Sequence, residues 1–241
     1  MENNLQDAKI SGAGSLGGGK YRDVKISGAG TVNGNIECNE FSTSGASTVN
    51  GNIIAKTIKV SGATDIKGNI EAEEIKVSGG SEFKGNVKTK EIKISGATKI
   101  KGSLSAENVD ISGSVNINED CEAETFKAKG GFDIGGLLNA DTIEIAIGGR
   151  CRVREIGCGK IEVKKFGGNF LAEVLKYIFI QGDTLVTSVI EGDDIYLEST
   201  SAKIVRGNNV TIGPNCNIEV VEYRDTVFVD KGSKAVTKKI D

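Results

Sequence analysis

The chain of 241 residues has no histidine and no tryptophan, one proline and one methionine. Without imidazole, the general base of most serine and cysteine hydrolases and acyl transferases is missing. Any metal site also loses a common nitrogen ligand. Aromatic residues make up 5% of the chain, so large rings cannot build its core. No run of about 18 apolar residues occurs, which excludes a bilayer-spanning helix. The opening residues, MENNLQDAKI, show neither a basic n-region nor an apolar h-region, so no secretory signal is expected. The formal charge of −3 provides no global attraction for nucleic acid, and none is expected as a partner. The five cysteines, Cys38, Cys121, Cys151, Cys158 and Cys216, are odd in number and scattered. They read as free thiols in a reducing cytoplasm.

What the chain has in abundance is glycine, at 33 residues, and order. Apolar residues recur at a fixed step of seventeen: Val24, Phe41, Ile58, Ile75, Ile92, Val109, Phe126 and Ile143. Counting each of these as position one, position three runs Ile26, Thr43, Val60, Val77, Ile94 and Ile111. Position nine runs Val32, Val49, Ile66, Phe83, Ile100 and Ile117, and position thirteen Ile36, Ile53, Ile70, Val87 and Leu104. Glycine holds position five from Gly28 to Gly130 and most of position eleven from Gly34 to Gly136.

A strict short repeat means a solenoid. Positions one, three, thirteen and fifteen alternate with polar neighbours, which is the period of a strand. A helical pair needs about 33 residues per repeat, and glycine breaks helices. Each unit therefore reads as one coil of a parallel β-helix. The glycines are expected where the chain turns with positive φ or passes close to its neighbour. Asn35, Asn52, Asn69 and Asn86, after the second glycine, are expected as a stack of left-handed corners. An earlier, imperfect coil, Ala8 to Asp23, aligns with a shift of sixteen. That alignment sets Lys20 against Ile36 and marks the coil as a frayed end.

The pattern slips after Ile145. In CRVREIGCGKIEVKKFGG, Val153, Ile161 and Val163 are the candidates for inward positions. The segment NFLAEVLKYIFI lacks glycine and repeats Phe170, Val174 and Ile178 beside Leu171, Leu175 and Phe179. That spacing, after an Asn N-cap, predicts a short helix ending near Ile180. Two readings stand side by side: a cap across one solenoid face, or a segment dipping into a membrane. Strand patterns then return, with Val210 and Ile212 followed seventeen residues later by Val227 and Val229. The expected organisation is an N-terminal tail 1–7, a β-helix 8–165, an apolar insert 166–184 and further coils 185–241.

Sites of chemistry are scarce. Lys25, Lys59, Lys76, Lys93 and Lys127 hold the outward position two, and acids two residues earlier face several of them. They read as a solvated, mutually paired surface. The acids of EDCEAE (Glu119–Glu124) alternate with inward Cys121 and Ala123, which reads as a strand face rather than a carboxylate pair or a calcium site. EGDD (Glu191–Asp194) is a second acidic cluster. Cys151 and Cys158 lack a CxxC spacing. GAGSLGGGK is not a phosphate loop, because Tyr21 follows Lys20. No catalytic residue, metal or cofactor is expected.

A solenoid coil at either end offers unpaired N–H and C=O groups. Self-association is therefore expected through Ile10, Leu16, Val24 and Ile26 at one end and Val227 and Val229 at the other. A non-polymerising binding rod is the second reading, and a carbohydrate-active β-helix enzyme the third.

The units TVNGNIECNE, DIKGNIEAEE and EFKGNVKTKE, with VSGATDIKGNI between glycines, resemble the bactofilins. The resemblance is most specific over Val24–Ile143. It implies a right-handed, three-sided β-helix in the bacterial cytoplasm. It implies a homopolymer: nucleotide-independent, nonpolar filaments that often sit on the inner membrane and scaffold envelope, shape or motility factors. This chain lacks an apolar N-terminal motif, which moves the expected membrane contact to Phe170–Ile180.

Overall fold

A step of seventeen becomes physical wherever two strands pair. Ile58 lies beside Ile75, Ile75 beside Ile92 and Ile92 beside Val109, all in parallel. The structure, a computed structural model, describes residues 5–165 and 184–241. These are an all-β parallel β-solenoid, with no helix among the described residues. The expected helix at 169–180 lies outside the described residues. Two compact units divide the chain, Met1–Cys121 and Glu122–Asp241.

In the first unit the strand Ile53–Val60 shows how one coil is made. Ile53, Ala55, Ile58 and Val60 are buried, and the alternation breaks at Lys56 and Thr57. Two successive outward residues turn the chain from one face to the next. The following strand, Ala63–Ile66, supplies the third inward run through Thr64 and Ile66. Repetition then stacks like on like. Phe41, Ile58, Ile75 and Ile92 are wholly buried in one column, and Val32, Val49, Ile66, Phe83 and Ile100 in another. Each such side chain contributes roughly 1.5–3 kcal/mol on leaving water.

The position-five glycines are required by contact, not by turning. A Cβ on Gly62 would lie 2.0 Å from the carbonyl oxygen of Gly45, and one on Gly79 the same distance from that of Gly62. Gly96 and Gly113 repeat the approach at 2.0 and 2.1 Å. Real Cβ atoms do not come so close to backbone, so only glycine lets the corners stack.

The asparagines also differ from expectation. None of the four has positive φ; among non-glycine described residues only Ser199 and Asn215 do. Instead each side chain bonds the coil that follows. Asn52 N donates to Asn35 Oδ1 at 2.9 Å, Asn69 N to Asn52 Oδ1 at 2.8 Å, and Asn86 N to Asn69 Oδ1 at 2.9 Å. Ser103 N ends the series on Asn86 Oδ1 at 3.1 Å. The ladder satisfies corner N–H groups that the strands leave over. A second chain of hydroxyls is buried beneath: Thr43 Oγ1, Ser47 Oγ and Thr64 Oγ1 follow one another at 3.0 Å.

The first coil is also better ordered than the alignment implied. A bulge between Gly17 and Gly19 shifts the register by one, so Lys20 pairs opposite Glu37 rather than Ile36. Its Nζ then lies 2.6 Å from Glu37 Oε2, in water.

The second unit keeps the inward columns but varies the step. Leu137 lies beside Glu155, Val189 beside Ile204 and Ser201 beside Asn217, which are steps of eighteen, fifteen and sixteen. Between Glu155 and Val189 the step is thirty-four, and residues 166–183 fall within it. Val153, Ile161 and Val163 are buried. Ile143, Ile161, Ile195 and Val210 continue one aliphatic column at 3% exposure or less. Phe126 and Phe132 meet edge to face in this unit, with centroids 5.5 Å apart. Pro214 is exposed at a corner, and its carbonyl accepts from Ser199 N at 3.0 Å.

Candidate functional site

Two strand edges stand out when each residue singled out from the sequence is located. In the first unit, the strand Ala8–Ile10 pairs with Asp23–Ile26, setting Ala8 beside Val24 and Ile10 beside Ile26. Ile10, Val24 and Ile26 are buried, so they are the end of the core rather than a surface. The strand Gly14–Lys20 pairs with Ala29–Thr43, which puts half-exposed Leu16 beside Val32. Among the described residues neither strand has a neighbour on its other side. Gly14, Gly17, Gly18 and Gly19 are exposed, so this edge is largely bare backbone. Its charges are already matched. Arg22 Nε donates to Asp7 Oδ1 at 2.7 Å, Nη2 reaches Oδ2, and the guanidinium holds the Asp7 carboxyl below its ordinary range. Tyr21 closes the bulge by donating its hydroxyl to Gly17 O at 2.9 Å.

In the second unit the last strand, Lys234–Lys239, pairs with Asn217–Val229. Val227 and Val229 lie beside Val210 and Ile212 and are half-buried. Between them Phe228 is 59% exposed, and Val236 on the last strand is 66% exposed. This edge carries no strand on its outer side among the described residues. Phe170, Leu171, Val174, Leu175, Ile178, Phe179 and Ile180 lie outside the described residues.

One arrangement was invisible in the sequence. Glu191, Arg206, Glu222 and Lys238 share a single outward column, because pairing sets each beside the next. Arg206 Nε donates to Glu222 Oε2 at 2.8 Å and its Nη1 reaches Glu191 Oε2 at 3.4 Å. Lys238 Nζ lies 3.7 Å from Glu222 Oε1. The Arg206 hydrogen bond depresses the Glu222 carboxyl below its ordinary value. Unequal steps of fifteen and sixteen hid this column; a search for apolar residues at variable spacing would have aligned it.

The remaining candidates have structural surroundings. None of the five cysteines is in a disulfide. Burial, then nearby acids, push the Cys38 and Cys158 thiols up to about 12, so neither is an anion near neutrality. Cys121 and Ala123 are buried while Glu119, Glu122 and Glu124 are exposed. Among the described residues no cluster of acids and thiols has the arrangement of a metal site. Two of the position-two lysines are matched along the strand, Lys76 to Glu74 at 2.6 Å and Lys93 to Glu91 at 2.7 Å, and Lys127 reaches Glu144 of the next coil at 3.2 Å. Lys59 instead reaches Glu40 at 2.6 Å.

A groove of about 550 Å³ runs over Ala46, Ser47, Thr64, Asp65, Ser81 and Glu82. Both of its acids are neutralised, Asp65 by Lys84 at 2.8 Å and Glu82 by Lys101 at 2.9 Å. No helix of the described residues is long and apolar enough to cross a membrane.

Comparison with known proteins matches a stretch within the first unit. Residues 6–88 match the bactofilin family, described as polymer-forming cytoskeletal. The chain is similar to two proteins of Bacillus subtilis (strain 168). It is 41% identical to the uncharacterized protein YhbE over 103 residues, 42% of each chain. It is 38% identical to the uncharacterized protein YhbF over 104 residues, 43% of this chain and 41% of YhbF. The chain thus spans about two fifths of the length of the curated relatives it matches. No solved structure matches it.

Proposed function

Residues 6–88 form a bactofilin domain, and on that premise we propose that the chain is a structural scaffold that assembles end to end from its outer strand edges without nucleotide. The observation that carries this reading is the edge Gly14–Lys20. It is glycine-bare, exposed and lined by charges already paired, Arg22 with Asp7 and Lys20 with Glu37 of the next coil. A strand edge of that kind is a template for another chain. Two such edges meeting would continue the ladder and join core to core behind Ile10 and Leu16. A joint at Val227 and Val229 as well would extend pairs into filaments. In this reading the assembly lies in the cytoplasm and recruits envelope, shape or motility factors. Attachment to the inner membrane through Phe170–Ile180 is part of the same proposal, and flotation with liposomes of a chain lacking 169–180 tests it.

The decisive measurement is negative-stain microscopy with sedimentation velocity, nucleotide omitted. Joined particles or filaments are expected. Monomers at all concentrations and salt conditions would sink the scaffold and favour the binding-rod reading. Leu16→Lys is the cleaner variant, because Leu16 is half-exposed whereas Ile26 is wholly buried. It should abolish joining while leaving the far-UV spectrum unchanged.

A further inference from the structure

The two edges differ in charge, and the difference has a chemical meaning. The strand Lys234–Lys239 bears Lys234, Lys238 and Lys239 and no acid, with Lys231 just before it. Only Lys238 has an ion-pair partner among the described residues, Glu222 beneath it at 3.7 Å. Asp230 and Asp241 flank the strand in sequence, and Asp230 Oδ1 is engaged by Gly232 N at 2.8 Å.

Each column of the second unit specifies what should come next. Outward, Glu191, Arg206, Glu222 and Lys238 alternate in sign, so the next residue should be an acid. Beside it, Val189, Ile204, Val220 and Val236 are all aliphatic, and Val236 stands 66% exposed with no strand over it among the described residues. The column between them, Ile190, Val205 and Val221, points inward and ends on exposed Thr237.

The backbone is ready as well. Lys234 N and Ile240 N donate to the strand beneath, at Cys216 O and Tyr223 O. Alternation along a parallel strand then turns the N–H and C=O of Ala235, Thr237 and Lys239 the other way.

We infer that the outer edge of Lys234–Lys239 is a docking site for an acidic β-strand of another protein. That strand adds in parallel, with an aliphatic residue over Val236 and a carboxylate over Lys238. A second copy of this chain fits poorly. Its edge strand Gly14–Lys20 carries Lys20 and no acid, and its strand Lys234–Lys239 brings the same lysines. The inference shares with the scaffold reading the idea that strand edges are the joints, and it adds a partner of different chemistry at one of them. Salt separates the two kinds of joint, because screening weakens the lysine–acid contact and relieves the lysine–lysine one.

The test uses a fluorescent peptide copying Val189–Leu197, VIEGDDIYL, whose Val, Ile and Glu follow the required order. Anisotropy with the full chain should show saturable binding that falls as salt rises. A peptide with its acids changed to lysine should not bind. Lys238→Glu should weaken binding by about tenfold, as reversing a charge adjoining the carboxylate would. Thr237→Pro removes one outward donor and no bond to the strand beneath, an edge position where proline is tolerated. It should abolish binding while the thermal midpoint stays put. Equal binding of the lysine peptide, or full binding by both variants, overturns the inference. A monomer that binds the acidic peptide sinks the scaffold reading alone; an assembling protein that ignores it sinks this inference alone.

Discussion

The two units solve one problem in opposite ways. Both must hold parallel strands in register across many coils. The first repeats residues: isoleucine on isoleucine, glycine on glycine, asparagine on asparagine, at a constant step. At position two lysine stacks on lysine, Lys59 on Lys76 on Lys93, so charge cannot alternate up that column. Lys76 and Lys93 are instead neutralised along the strand, by Glu74 and Glu91. The second unit varies its step and its residues, and so can alternate charge up the column, as Glu191, Arg206 and Glu222 do. Repetition makes every coil equivalent. Alternation makes each coil recognise its neighbour. The family match at residues 6–88 lies wholly in the repetitive unit.

The sharpest way to break this contrast is at glycine. Gly62→Ala drives a Cβ into the Gly45 carbonyl at 2.0 Å, while Gly149→Ala in the second unit meets nothing nearer than 3.6 Å. The first should lose about 3 kcal/mol or more, since backbone above and below must shift. The second should stay within about 0.5 kcal/mol. Denaturant midpoints decide it, and equal losses would show that the first unit is not held by close corner stacking.

A smaller effect is expected at Asn69→Ala. It leaves Asn86 N without its 2.9 Å acceptor, and about 1 kcal/mol should go. Hydrogen exchange at Asn86 should quicken more than at either neighbouring coil; uniform quickening would mean that the ladder is not local.

The smallest effect concerns acid. Glu74 and Glu222 both titrate below their ordinary range, each chiefly through a hydrogen bond, from Lys76 and from Arg206. A depressed folded value adds stability above the unfolded carboxylate value, about 4.3, and that stability goes as pH falls through the folded one. Glu74→Gln and Glu222→Gln should therefore each flatten the acid limb of the stability curve. Glu222→Gln should do so more, because Glu222 is hydrogen-bonded by Arg206 and Lys238 from two coils, whereas Glu74 is hydrogen-bonded by Lys76 alone and feels Lys93 and Lys59 only through space. Equal flattening would remove the distinction drawn between the two charge schemes.

How much of this was legible beforehand follows from the same contrast. A constant step projects the fold onto the sequence directly, so the buried columns through Ile58, Ile66 and Ile70 could be read by counting. The reason for a residue could not be counted. Glycine at position five suits a positive-φ turn or a close pass equally in sequence, and only the structure selects the close pass. Asn52 looked like a left-handed corner and is a hydrogen-bond acceptor for Asn69. Both roles depend on the distance between coils, which no single coil contains. In the second unit even the columns were hidden, because steps of fifteen, sixteen and eighteen scatter the charges of Glu191, Arg206 and Glu222. The residues proposed for self-association fall on Ala8–Ile10, Gly14–Lys20, Asp23–Ile26 and Asn217–Val229, while the contrast of bare backbone against lysine, on Gly14–Lys20 and Lys234–Lys239, emerges only with the pairing.

The constant step has a genetic consequence. Every contact that Ile75 makes with its column would be remade by Ile92 if one whole coil were lost, because each coil presents the same surface above and below. Duplication or deletion of a coil's worth of codons therefore leaves the first unit with a complete core and an unaltered end. Its length is free to change by heredity in whole coils. The second unit has no such freedom: excising the coil that holds Arg206 would bring Glu191 against Glu222.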